Sequence, residues 1–220
     1  MASRLPGIAR LPAARAAGMP EVTLLCVNHI LETAGAGQAD GDTESMAPAL
    51  HVIAWHGPGR LATMAHPRGG DRLADEMAGL AAAGVDVVVS ALTPAEAERL
   101  GLSDAAAAAA AAGIQHVSCP IPDRGVPQDV VALGVRLAAH VRAGRYVVTH
   151  CFAGIGRSTV LACVTLVMLG VGPERALRMV TEARGLPVPD TEAQRAWVYD
   201  FAIAHGGFAA PAGSRSGIFP

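Results

Sequence analysis

"RYVVTHCFAGIGRST", residues 145 to 159, decides the fold. It opens with a short β-branched run, passes through a glycine-punctuated turn and leads into the apolar stretch Val160–Gly172. Strand, tight turn and buried helix in that order form the core unit of an α/β layer fold, and the turn falls at the carboxyl end of the sheet, where open α/β folds bind ligands. Free N–H groups and the dipole at the start of such a helix favour an anion. Gly154 and Gly156 open backbone angles that other residues resist, so the successive amides of Phe152, Ala153, Gly154, Ile155, Gly156 and Arg157 can face one oxyanion. The five residues between Cys151 and Arg157 carry the chain once around that anion, and the Arg157 guanidinium adds a planar fork matched to two of its oxygens. Cys151 then stands at the mouth of the nest as a thiolate nucleophile, with His150, Ser158 and Thr159 placed to hold or orient it. A plain alternative makes Cys151 a buried small residue, the glycines packing residues and Arg157 a surface ion-pair partner. It accounts for each residue singly but not for His, Cys, two Gly, Arg and Ser in this order between strand and helix.

Outward from this loop, the chain from about Ala47 alternates short β-branched runs with helical stretches, which predicts a central, mostly parallel sheet flanked by helices. "HVIAW" and "RLATM" flank a turn at "HGPG". "DRLADEMAGLAAAG" spaces Leu73, Met77 and Leu80 at helical intervals and stops at Gly84. After the strand "VDVVVS", "TPAEAERLG" begins a helix with Thr93 as cap, Pro94 in its first position and Glu96 closing a capping box. An alanine run from Ala105 is a helix by propensity, "IQHVSCP" a strand, and "PQDVVALGVRLAAHVRAG" an amphipathic helix before the strand that delivers Cys151. The rest is helical: about Arg157 to Leu169, Pro173 to Arg184 and Thr191 to His205. The expected organisation is an extension over 1–46 that is partly disordered, a catalytic domain over 47–207 and a mobile tail over 208–220.

Composition narrows the partners. The chain has 220 residues, 51% of them hydrophobic, and a formal charge of −2 from 17 basic and 19 acidic residues. That balance carries no general footprint for nucleic acid or an anionic membrane, so any anion site is local. The apolar run Val160–Gly172 is too short to span a bilayer, for which about 20 residues are needed. Cys26, Cys119, Cys151 and Cys163 form no CxxC pair, which indicates neither a zinc site nor a disulfide framework and fits a reducing, cytoplasmic setting. Cys26 and His29 are too small a fragment for zinc, and the remaining histidines form no ligand pair. The expectation is therefore a monomer without metal or cofactor. The arginines of the first twenty residues loosely suggest a transit peptide, but no apolar secretory core accompanies them. Cys163 belongs to the core. Cys119 is either a buried strand-end thiol or a resolving partner for an oxidised Cys151.

"HCFAGIGRS" resembles the HCxxGxxR(S/T) signature of cysteine-dependent protein tyrosine and dual-specificity phosphatases, compact bacterial forms above all. The likeness runs through "PIPDRGVP" and "GVDVVVSALTPAEAERLGL" upstream and "TEAQ" downstream, from about Leu61 to His205. It implies a three-layer phosphatase fold and hydrolysis of phosphotyrosine, with phosphoserine and phosphothreonine as the further residues a dual-specificity form accepts, in proteins through a phosphocysteine intermediate. Expulsion of an alkoxide or phenoxide needs a positioned acid. Asp123, on a proline-stiffened loop after a parallel strand, fits that need or is an ordinary turn aspartate; the resemblance favours catalysis. Asp129 is the understudy, placed by sequence in the first turn of a helix. Ser158 is implied to stabilise the departing thiolate. Gln194 either completes a capping box with Thr191 or places the attacking water, and Asp190 stands where some relatives carry a further glutamine. Arg184 matches an arginine with a structural role. Alternatives are a phosphoinositide or inositol-phosphate phosphatase, for which lysines inside the loop are expected and Phe152, Ala153 and Ile155 are found; a non-catalytic module that binds phosphoproteins; and a rhodanese-like sulfurtransferase, in which Asp123 has no purpose.

Overall fold

Val87–Ser90 (β3) and Tyr146–His150 (β5) are runs rich in β-branched side chains, and in the computed structural model, which describes residues 49–206, each is a strand, as is Gln115–Ser118 (β4). With His51–Ile53 (β1) and Arg60–Met64 (β2) they form one five-stranded sheet in the order β1-β2-β5-β3-β4. Only β1 runs antiparallel, paired with β2 across the expected "HGPG" turn; β2, β5, β3 and β4 are mutually parallel. Met64 and Ser90 flank His150 in register, so the loops after β2, β3 and β5 emerge side by side at the carboxyl edge.

Alternation along the strands assigns the two faces. Ala62, Val88, Tyr146 and Val148 pack with Leu73, Met77 and Leu80 of α1 (Leu73–Ala82) and Ala105 and Ala109 of α3 (Ala105–Ala111). Leu61, Val87, Val89 and Val147 face the other layer, made from α4 (Val131–Arg142), α5 (Arg157–Met168), α6 (Pro173–Arg184) and α7 (Glu192–His205). Helix α5 is buried from Arg157 to Val167, as its largely apolar sequence after the first turn requires, and α4, α6 and α7 pack around it. The remaining helix, α2 (Pro94–Arg99), carries the full capping box between Thr93 and Glu96.

One boundary differs from expectation. Helix α4 starts at Val131, behind an Asp129 held at φ 48°, so Asp129 lies outside the helix and not in its first turn. Short side-chain carboxylates tolerate the left-handed region, and here that tolerance turns the chain from the Pro127 segment into the helix. The extension over 1–46, with Cys26 and His29, and the tail over 208–220 lie outside the described residues.

Candidate active site

Strand β5 ends at His150, and the next six residues wrap a turn before α5 begins at Arg157. Gly154 takes φ +73° inside this turn, and a Cβ there would come within 2.5 Å of the Met64 carbonyl at the end of β2. Gly156 has a different reason to be glycine. Its φ is −115°, and a side chain would press on Gln194 Oε1 at 3.1 Å and Asp190 Cβ at 3.2 Å. Four loop carbonyls are engaged by other residues: Phe152 O by the His66 amide at 3.1 Å, Ala153 O by Arg184 Nη2 at 3.4 Å, and Ile155 O and Gly156 O by Thr159 Oγ1 at 3.0 and 2.6 Å. The N–H groups of Phe152 to Arg157 donate to no described residue, which is the arrangement of an anion nest.

Cys151 is 3% exposed, and its Sγ lies 3.3 Å from Ser158 Oγ. Ser158 is itself fixed by the Thr149 hydroxyl, which donates to its carbonyl at 2.8 Å. His150 and Thr159 do not hold the sulfur. The Thr159 hydroxyl points back into the loop, and the His150 ring reaches only the Cys151 carbonyl, at 3.4 Å. Burial pushes His150 down to about 3, so the ring is neutral at physiological pH and lines a separate cavity with Ser90, His116 and Ser118. Its support of Cys151 is thus through the backbone.

Arg157 is the most heavily committed side chain in the site. Its Nη1 and Nη2 donate to Glu96 Oε2 and Oε1 at 2.7 and 3.0 Å, a bidentate pair, and Nη1 also donates to the Ile121 carbonyl at 3.0 Å. Beside this guanidinium the Glu96 carboxyl is held at about 2. The same carboxylate accepts the Thr93 amide and hydroxyl, both at 2.9 Å, so the helix cap and the arginine clamp are one group. Glu96 is the residue the sequence reading missed: its capping-box position accounts for it fully, and no local signal pairs it with an arginine 61 residues away.

Asp123 stands on the loop after β4, its side chain 76% exposed and its Oδ1 3.4 Å from Arg157 Nη2. The loop is pinned on either side of it. Ile121 N donates to Ala91 O, and Gly125 N closes a turn on Pro122 O. Gln194 Nε2 donates to Gly125 O at 2.8 Å, while its backbone N–H donates to Thr191 Oγ1 at 3.1 Å. Only half a capping box forms, therefore, and the Gln194 side chain is released to the cleft, where its buried Oε1 has no partner. Asp190, on the same rim, faces Arg124 at 3.7 Å.

Cys151, Arg157, Asp123, Gln194, Asp190 and Glu96 all line one cleft of about 600 Å³. Asp129 is not among its lining residues. Cys163 is fully buried on α5 with its thiol pushed up to about 12, and burial also raises that of the half-buried Cys119, as suits packing thiols. Among the described residues no grouping of His, Cys, Asp and Glu could hold a metal ion, and no helix is long and apolar enough to cross a membrane.

Known proteins agree with this geometry. Residues 62–171 match a family model described as a polymorphic toxin system DSP-PTPase phosphatase. Cyclin-dependent kinase inhibitor 3 of Mus musculus is 29% identical over 85 residues, 37% of this chain and 40% of that protein, so the chain matches less than half the length of this relative. Among solved structures, kinase associated phosphatase with its catalytic-site cysteine replaced by serine superposes with a TM-score of 0.66 at 19% identity, over 76% of this chain and all of that one. A mutant form of Tk-PTP gives 0.55 at 26% identity, over 69% and 95% of the two chains. The chain belongs to the cysteine-based DSP-PTPase phosphatase family.

Proposed function

We propose that the substrate is a phosphorylated protein, with phosphotyrosine as the principal phosphoamino acid, and that hydrolysis proceeds through phosphocysteine at Cys151. The observation that carries this reading is the convergence on one cleft of the Cys151 sulfur, the clamped Arg157 guanidinium and the Asp123 carboxyl. In the first step Cys151 Sγ bonds to phosphorus as the ester P–O bond breaks, and Asp123 gives the leaving oxygen its proton. Arg157 and the unengaged amides of the loop hold the equatorial oxygens, whose charge they stabilise without reorganising. In the second step a water attacks phosphocysteine, Asp123 takes its proton, and the S–P bond breaks with Ser158 Oγ donating to the departing thiolate. The orphaned Gln194 Oε1 is an acceptor suited to orienting that water. Apolar Phe152, Ala153 and Ile155 in the loop favour a protein substrate over a polyphosphorylated inositol, and three free thiols among the described residues suit a cytoplasmic setting.

Hydrolysis of p-nitrophenyl phosphate and of a phosphotyrosyl peptide in EDTA tests this. The wild type should turn over with a bell-shaped pH profile, Cys151→Ser should be inactive, and Asp123→Ala should lose about 100-fold or more, in the range of a general acid. A metal requirement, or full activity in Cys151→Ser, would contradict the reading.

A further inference from the structure

The charges of the cleft do not all belong to the chemistry. Glu96 is committed to Arg157, and Asp190 faces Arg124. Arg99 also lines the cleft, and among the described residues it has neither a hydrogen-bond nor an ion-pair partner. It lies three residues after Glu96 on α2, so the two share one face of the helix. The guanidinium thus stands one turn from the carboxylate that grips Arg157, beside the phosphate site and outside it.

We propose that Arg99, with Arg124 on the same cleft, forms a second anion subsite that selects phosphopeptides carrying an acidic side chain or a second phosphate within one or two residues of the phosphotyrosine. The inference rests on the protein-phosphatase reading above. An extended peptide advances about 3.3–3.6 Å per residue, which brings a neighbouring side chain into reach of a cation one helical turn away. Arg124 is available to the same anion because its pair with Asp190 is long and solvent-exposed. Elsewhere on the rim Phe152 is 48% exposed, its ring 5.2 Å from that of His66, an apolar wall suited to a peptide backbone and side chains. A polyphosphorylated inositol, by contrast, calls for several free cations, and beyond Arg157 the described cleft offers the unpaired Arg99 and the loosely paired Arg124.

The test compares three phosphotyrosyl peptides of one sequence, flanked by glutamine, by glutamate or by phosphoserine, with a soluble inositol bisphosphate and p-nitrophenyl phosphate as the other substrates. For the wild type, kcat/KM should be about tenfold higher with either anionic flank than with glutamine at low salt, the gap narrowing as salt rises. Arg99→Glu should abolish the preference, Arg99→Lys should retain most of it, and both should hydrolyse p-nitrophenyl phosphate within about twofold of wild type because Arg99 touches no reacting atom. Which anionic flank gains more identifies the source of the charge. No preference in the wild type, or a preference that survives Arg99→Glu, would overturn the subsite. Preference for the inositol bisphosphate over every peptide, lost in Arg99→Glu, would overturn the peptide assignment. If the wild type turns over nothing, the functional reading fails, and the subsite is read directly from the affinities of the Cys151→Ser protein for the same peptides by fluorescence anisotropy. The same ranking and the same dependence on Arg99 are then expected, and equal affinities would overturn it.

Discussion

At Glu96 one carboxylate caps α2 and clamps Arg157, which is only 3% exposed and would otherwise keep only the exposed Asp123 carboxylate, at 3.4 Å, as a counter-charge. Hydrogen bonds to charged groups contribute about 1.5–3 kcal/mol each, so Glu96→Gln should destabilise the protein by about 2 kcal/mol in urea denaturation. It should also lower kcat/KM more than tenfold, because Arg157 loses the fork that fixes its plane. Unchanged kinetics would show that the loop positions Arg157 unaided. The sign of the pH dependence is set by the depressed carboxyl: its contribution is complete above the ordinary value near 4.5 and is lost only as pH falls through about 2. The clamp is therefore intact throughout the range in which the reaction can be assayed. Gln194 makes the complementary case, since the sequence left capping and water placement open, and the structure gives the cap to the backbone N–H alone while the side chain bonds Gly125 O in the cleft. Both residues show why a local motif hides a distant duty: the cap uses a few atoms, and the remaining valences are free for partners about 60–70 residues away.

The phosphate loop is defined as an element by what lies against it. At Gly154 a methyl group would meet the Met64 backbone, and φ is positive, so neither neighbour nor chain can yield. Gly154→Ala should cost about 1–3 kcal/mol in stability and reduce activity more than tenfold, whereas Gly156→Ala, opposed only by side-chain atoms of Gln194 and Asp190, should be milder. Equal effects of the two substitutions on rate and thermal stability would contradict this distinction. Strand, loop and helix around Cys151 were legible because their periodicity switches from two to 3.6 across a glycine-rich turn. The start of α4 was not, because Asp129 supports either a helical first turn or a left-handed corner, and the choice depends on where the preceding proline loop must be anchored. Side-chain direction was equally out of reach: His150 precedes Cys151 in sequence, but the alternation of β5 turns its ring to the other side of the sheet edge.

The candidate cleft opens at the carboxyl edge of a sheet whose central strand ends on a buried, neutral imidazole. His150 stays unprotonated down to about 3 in the folded protein, while an unfolded chain protonates it near 6.5, so between those values the unfolded state binds the extra proton. Stability should be greatest above about 6.5 and decline as pH falls, by up to about 1.4 kcal/mol per pH unit from this group. His150→Gln, though less stable at pH 7, should show a shallower decline in urea titrations at successive pH values; an unchanged slope would move the effect to another group. The mostly parallel sheet, its flanking helices and the cleft at the carboxyl edge follow from the alternating pattern of strands and helices, but the strand order did not, and the convergence of Glu96, Asp123 and Gln194 on Cys151 required three segments from separate parts of the chain to meet. That convergence carries the central claim, covalent catalysis by Cys151, and rapid acid quench of the Asp123→Ala protein with a phosphotyrosyl peptide, followed by peptide mass mapping, tests it most directly. The account predicts phosphate on the peptide containing Cys151 and none in Cys151→Ser; phosphate released without any phosphorylated Cys151, or carried on another residue, would contradict it.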